Sequence, residues 1–377
     1  MWKLIPIVVF ALFMAFLSDN NSAYEIDEYG CKEYIYKEKF FYFIMACSMA
    51  IFVGLRTSGN DTSTYRALYE RINVGTVGLQ TIEWTNLSSA PGLDLLQVII
   101  KTMGATTQDY LMITGFFVTY TYLWFIKKYT SEIWLSVYYF ITMGVYTFSM
   151  AAIKQTMAVA FLMFATDNAI RGKWARFVFW LIIAELFHPY AFIYAVVPFL
   201  TFAPWSKRSY WLLAGTAVVA LFLSRLMGSI DNVTTALGYT NYSVNEFTGA
   251  GVNIFRVLVV WVTVILSFMG RNELRESTDR IQNIMVNLTM MNAVIMFIGL
   301  FGTANYFARL ANYFLIFQVI ALPWLFRFIN FNSRKLVEGL SVIAYFIYFY
   351  YDHVLTNGRF DWGYNFITIF DYLMRRF

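Results

Sequence analysis

Residues 171–208 read RGKWARFVFWLIIAELFHPYAFIYAVVPFLTFAPWSKR. The stretch is apolar through its middle and basic at both ends, with Arg171, Lys173 and Arg176 on one flank and Lys207 and Arg208 on the other. Short loops rich in Lys and Arg stay on the cytoplasmic side of a membrane. Both flanks therefore belong on one side, and the chain between them must go out and come back. His188-Pro189 is the turning point, because Pro189 lacks the N–H that would continue a helix. Each arm, 174–188 and 190–204, has about 15 residues, or about 22 Å of helix against a hydrocarbon core of about 30 Å. The tip is expected below the outer surface, in a cavity.

The rest of the chain follows the same logic. Of 377 residues, 59% are hydrophobic, 20% aromatic and only 14% charged, where a soluble domain carries about 25% charged residues. So much apolar surface does not fit in one core. Apolar segments lie at about 2–17, 40–55, 109–126, 132–149, 153–170, 174–188, 190–204, 210–227, 253–270, 281–301, 305–328 and 336–351. They are continuous rather than alternating, which selects helices over a barrel. The sequence predicts an all-α polytopic membrane protein: a bundle of about 12 transmembrane helices with structured extracytoplasmic loops. Residues 1–377 form one integral membrane domain, with extracytoplasmic loops at 56–108 and 228–252 and an extracytoplasmic C-terminal tail at 352–377.

Charge sets the orientation. Sixteen of the 28 basic residues fall in six short loops, around Lys32–Lys39, Lys127–Lys128, Arg171–Arg176, Lys207–Arg208, Arg271–Arg280 and Arg327–Lys335. These loops alternate with twelve spans, so they are placed in the cytoplasm and both termini outside. Residues 1–17 are then a first span rather than a cleaved signal peptide, which would spoil the alternation. The net charge of +5 is distributed by topology and forms no nucleic-acid patch. Cys31 falls in a loop and Cys47 in a span, so no disulfide framework is available. Two histidines and no clustered ligand motif argue against a tightly bound metal, and no cofactor is implied.

Against this background, Arg56, Lys154, Arg225, Arg256, Arg309 and His188 fall at helix ends on the side normally depleted of cations. Arg pairs bidentately with phosphate oxygens, so the simplest chemical use of such a ring is to grip a lipid-linked phosphate or pyrophosphate. The plainer reading is snorkelling to lipid headgroups. Glu185 and His188, three apart, share a helix face, and a carboxylate beside an imidazole favours its proton-accepting role. A plainer role for His188 is to cap the turn before Pro189, with Glu185 paired to an Arg. Asp61 and Tyr65 follow Arg56 in the first outer loop. Asp61 could orient Arg56, act as the base, or simply cap a turn. Asp167 and Asn168, next to Arg171, read as structural, and the NLT triplet at 287–289 falls inside a span.

Four segments together are similar to the EpsG-like family of bacterial polysaccharide polymerases, functional relatives of the Wzy O-antigen polymerases. GLRTSGNDTSTY (54–65) resembles that family's Gly-Leu-Arg, Gly-x-Asp and later Tyr. IKQTMAVAF (153–161) resembles its Arg-Gln-x-x-Ala signature, with Lys154 in the Arg position. AELFHPYAFIYAVVPF (184–199) resembles its Phe-His segment, with Pro189 after the His where a small polar residue is usual. YFARLANYF (306–314) resembles its late Arg-x-x-x-Tyr helix. The resemblance implies a metal-independent membrane glycosyltransferase of the bacterial inner membrane. Working on the extracytoplasmic face, it would transfer a growing glycan from undecaprenyl pyrophosphate onto a newly delivered lipid-linked repeat unit. Its partners would be that lipid-linked oligosaccharide and the bilayer, with room for a chain-length regulator protein and a flippase, and no nucleic acid. The expected base is His188 oriented by Glu185, or else Asp61. The expected pyrophosphate and glycan contacts are Arg56, Lys154, Gln155, Arg309, Arg256, Arg225, Tyr65 and Tyr313.

Three other functions share some of these features. A lipid-linked oligosaccharide flippase would show related halves and polar residues through the midplane, whereas here no internal repeat stands out and the polar groups gather at one face. A glycan ligase would share the lipid-linked donor site. A membrane O-acyltransferase would also use a membrane-embedded His.

Overall fold

A computed structural model describes residues 2–29, 31–222, 232, 236, 250–356 and 364–374. The chain is all-α apart from one antiparallel hairpin, Ala23–Ile26 with Lys32–Tyr36. Each of the twelve apolar segments carries a helix. The helices are shorter and more broken than twelve clean spans require. By length and composition Arg280–Ile298 alone among the described helices is long and apolar enough to cross a membrane, or up to three elements if each bent pair counts as one span. Ile5–Asn20, Phe40–Gly54 and Ile254–Met269 are apolar but fall short of the roughly 20 residues a straight crossing takes.

Two bends shape the interior of the bundle. Ile133–Thr142 and Val145–Ala151 meet at 49°, and the pair Tyr306–Asn312 and Leu315–Phe328 at 57°. The first bend turns on Gly144, whose φ of +79° suits a residue without a Cβ. Non-helical backbone at membrane depth is tolerated where it lines a cavity, and both breaks do so here.

The 171–208 stretch reverses as read. Trp174–Glu185 is α-helical, His188 is extended (φ −156°, ψ 126°), and Pro189–Leu200 winds on as a 3₁₀-helix. The first arm packs along Ile153–Ile170 through Trp180 on Phe164 and Phe187 on Phe161. The second arm returns along the same helix, with His188 near Lys154 and Tyr194 bonded to Thr166. Asn287, the Asn of the NLT triplet, is fully buried, and its amide donates to the Leu200 and Phe202 carbonyls at 2.7 and 2.8 Å.

Close backbone contact seats Arg56. Phe40–Gly54 packs against Thr107–Tyr129 through Gly54 and Gly115, and a Cβ on Gly54 would lie 2.7 Å from the Met112 Cα. Small residues allow such an approach between membrane helices. Residues 56–108 fold into the helices Thr62–Arg71, Gly75–Gln80 and Pro91–Thr102. Near the C-terminus, Phe366 bridges Arg56, with Thr57 N–H donating to Asn365 O at 2.7 Å and Ile367 N–H to Leu55 O at 3.0 Å. Asp167 is held by Lys128, Tyr129 and Arg171.

Candidate functional site

The two broken helices enclose a cavity of about 740 Å³. Arg309 and Asn312 line it from one break, and Gly144 and Thr147 from the other. Arg256, Asp352, His353 and Asn60 complete its polar wall.

Arg309 lies in the last turn of Ala304–Asn312 and is exposed. The last four carbonyls of a helix have no partner within it, and here three other elements supply donors. The Gln155 amide donates to Arg309 O, the Asn292 amide to Ala311 O at 2.7 Å, and Tyr194 Oη to Tyr313 O at 3.1 Å. Gln155 thus contacts the Arg309 backbone and holds the helix end on which its side chain stands. Gln155→Ala should loosen this break, with the thermal midpoint dropping by only a few degrees, since one hydrogen bond contributes about 1 kcal/mol.

Lys154 and Arg309 both act electrostatically on His188, so these three share one neighbourhood. Lys154 Nζ donates to Ser89 O at 3.0 Å, and its backbone N–H reaches Tyr65 Oη at 3.4 Å. His188 is buried, with Tyr313 Oη 2.6 Å from its Nδ1 and the Tyr190 N–H donating to the same nitrogen at 3.4 Å. Glu185 ends the first arm and is half-buried. Asp94 is an addition that the sequence did not single out. Burial raises its carboxyl above the ordinary value while Lys154 pulls it back.

Arg56 lies behind this wall, wholly buried. Its Nη1 donates to Val53 O at 2.6 Å, while Nε and Nη2 have no hydrogen-bond partner among the described residues. Tyr65, Tyr110 and Tyr364 surround it. Asp61 is exposed at the N-cap of Thr62–Arg71 and makes no side-chain cap bond, and its neighbour Asn60, with φ +49°, lines the cavity. Arg256 is engaged by Asp352, Nε to Oδ1 at 2.7 Å and Nη2 to Oδ2 at 3.1 Å. That pair offsets the charge of Arg256 in the cavity. Arg225 lies outside the described residues.

Asp352 and His353 join the site from a segment that reads in sequence as the start of the C-terminal tail. One signal for them is present there: the chain has two histidines, and this one directly follows the last apolar segment beside an acid. A π-helical turn, Tyr351–Leu355, buries both residues although they are adjacent, and such turns are frequent at functional sites.

The EpsG family model matches residues 39–368. The chain belongs to the EpsG family. EpsG is a Wzy-like polysaccharide polymerase family, so the protein's role is of the polysaccharide-polymerase type, glycosyltransferase-like and membrane-associated. No curated protein and no solved structure matched the chain. The matched span takes in every wall of the EpsG-family cavity, from Asn60 to His353, and the bridge from Phe366 to Arg56.

Proposed function

We propose that this EpsG-family protein polymerises undecaprenyl-pyrophosphate-linked oligosaccharide repeat units by glycosyl transfer on the extracytoplasmic face of the bacterial inner membrane. The observation that carries the reading is the cavity of about 740 Å³ with exposed Arg309 on its wall and Arg256 opposite a carboxylate. In glycosyl transfer from a lipid pyrophosphate the leaving group develops charge as its bond to the anomeric carbon breaks. Fixed cations in a site shielded from water stabilise that charge without reorganising. Arg309 holds the pyrophosphate, Lys154 supports it from the His188 side, and Arg256 is a weaker contributor because of Asp352. His188 stands beside Lys154 and Arg309, with Tyr313 Oη on its Nδ1. Gln155 and Tyr313 act through the Arg309 helix break. Tyr65 and Arg56 form the layer beneath, and Asp61 sits at its exposed rim.

The extracytoplasmic placement rests on the Lys/Arg asymmetry of the loops. Tags in the Asp61 loop or at the His188 turn should report the outside. Tags that report the cytosol overturn the reading whatever roles the residues have.

The decisive experiment supplies the purified protein in lipid vesicles with undecaprenyl-pyrophosphate repeat unit and nothing else. A ladder of products at repeat-unit spacing is expected. Movement of lipid between leaflets without new glycosidic bonds would make the protein a flippase, and transfer to a different acceptor would make it a ligase.

A further inference from the structure

The chain has two histidines, and their settings differ in kind. At His188, Nδ1 is already engaged by Tyr313 Oη at 2.6 Å and the Tyr190 backbone N–H at 3.4 Å. At His353, Nδ1 lies 3.3 Å from Asp352 Oδ2. The contact is an ion-pair distance rather than a hydrogen bond, and a carboxylate so close favours the tautomer with its proton on Nδ1, which leaves Nε2 as the acceptor.

What Nε2 faces is equally specific. Thr147 Oγ1 is 2.9 Å away, and the same hydroxyl reaches Gly144 O at 3.0 Å. One hydroxyl proton cannot serve both acceptors at once, so Thr147 can turn to Gly144 and leave Nε2 to another hydroxyl. Gly144 packs directly against the ring, where a Cβ would fall 2.9 Å from Nε2 and 2.8 Å from Cε1, and Gly144, Thr147 and His353 all line the cavity. Asp352 is itself fixed by its double bond to Arg256, and Phe349 packs on the imidazole at 4.4 Å between centroids.

From this geometry we infer that His353 is the general base for chain extension: it takes the proton of the acceptor-sugar hydroxyl, with Asp352 as its positioning residue. The inference rests on the polymerase reading of the cavity. The acceptor oxygen forms its bond to the donor's anomeric carbon. The bond from that carbon to the pyrophosphate oxygen breaks, and its electron pair leaves with undecaprenyl pyrophosphate. The acceptor proton passes to Nε2 and from there to water before the next cycle. Among the described residues, the charged and titratable groups around the imidazole are Asp352 on its own turn, Arg256 and Arg309 across the cavity, and Tyr348 one turn back.

The test uses the reconstituted full chain with undecaprenyl-pyrophosphate repeat unit, comparing wild type, His353→Gln and His188→Gln. A well-placed base is worth about 10²–10⁴-fold. His353→Gln is expected to lower kcat at least 100-fold at little change in KM and to abolish the rise of rate with pH, while His188→Gln keeps that rise. Should His353→Gln fail to fold by thermal melt, Asp352→Asn carries the test. Asn in that place removes the carboxylate that positions the imidazole, so kcat must fall about 100-fold with KM little changed. Polymer from His353→Gln at the wild-type rate, an unchanged kcat in Asp352→Asn, or loss of the limb in His188→Gln overturns the inference alone. A wild-type protein that makes no polymer overturns the polymerase reading with it.

Discussion

Arg309→Ala is expected to abolish polymer while leaving protein abundance unchanged. The side chain is exposed on the cavity wall, so its removal leaves no void in the packed bundle. The helix end it stands on is held through backbone carbonyls by Gln155, Asn292 and Tyr194, and truncation at Arg309 touches none of those bonds. What is lost is a fixed cation facing the departing pyrophosphate, and removing one such group typically costs 10²–10³-fold in rate. Arg309→Lys should recover only part of the rate, because an ammonium is a point charge and loses the bidentate grip. Polymer measured by gel at normal chain length and yield in Arg309→Ala would remove the residue from the site.

Arg56→Met should move stability and activity in opposite directions. Arg56 is wholly buried, and two of its three guanidinium nitrogens have no hydrogen-bond partner among the described residues. Burying charge without full hydrogen bonding is costly, and apolar replacement of buried ionic groups has stabilised other proteins by about 1–4 kcal/mol. Met is shorter but unbranched like the Arg stem, and its thioether suits the tyrosine-lined space around Arg56. Denaturant unfolding in detergent should therefore shift to higher midpoint, with polymer yield falling at least tenfold. That combination is expected where a residue is kept for a ligand at the expense of the fold. A variant both stable and fully active would show that Arg56 is dispensable to the chemistry, and a destabilised one that the tyrosine shell satisfies it.

The residues differ in how legible they are in the sequence. Arg309, Lys154 and His188 stand out as cations at apolar-segment ends, and they do share a neighbourhood. Gln155 stands in a motif, but its bond to the Arg309 carbonyl depends on where a broken helix ends. The break at Asn312–Leu315 divides what reads as one apolar segment, although its first part, with Asn305, Arg309 and Asn312, is the more polar. Asp352 and His353 read as tail because the last apolar segment ends one residue earlier, and a π-helical turn buries them nonetheless. The count of twelve spans is the clearest divergence. Hydropathy sees apolar runs, whereas crossing a bilayer also needs unbroken length, and bends at Gly144 and Asn312 divide two of them.

By itself the amino-acid sequence determined that the chain is helical, apolar and turned back on itself at His188-Pro189. Those properties follow from local composition, from the charge of flanking loops and from a missing N–H. Tertiary structure alone decided which polar groups share one space. Arg256 and Asp352 are 96 residues apart in the chain, and Thr147 and His353 are 206 apart. Contacts at such separations depend on how helices bend and pack, and no local pattern records that.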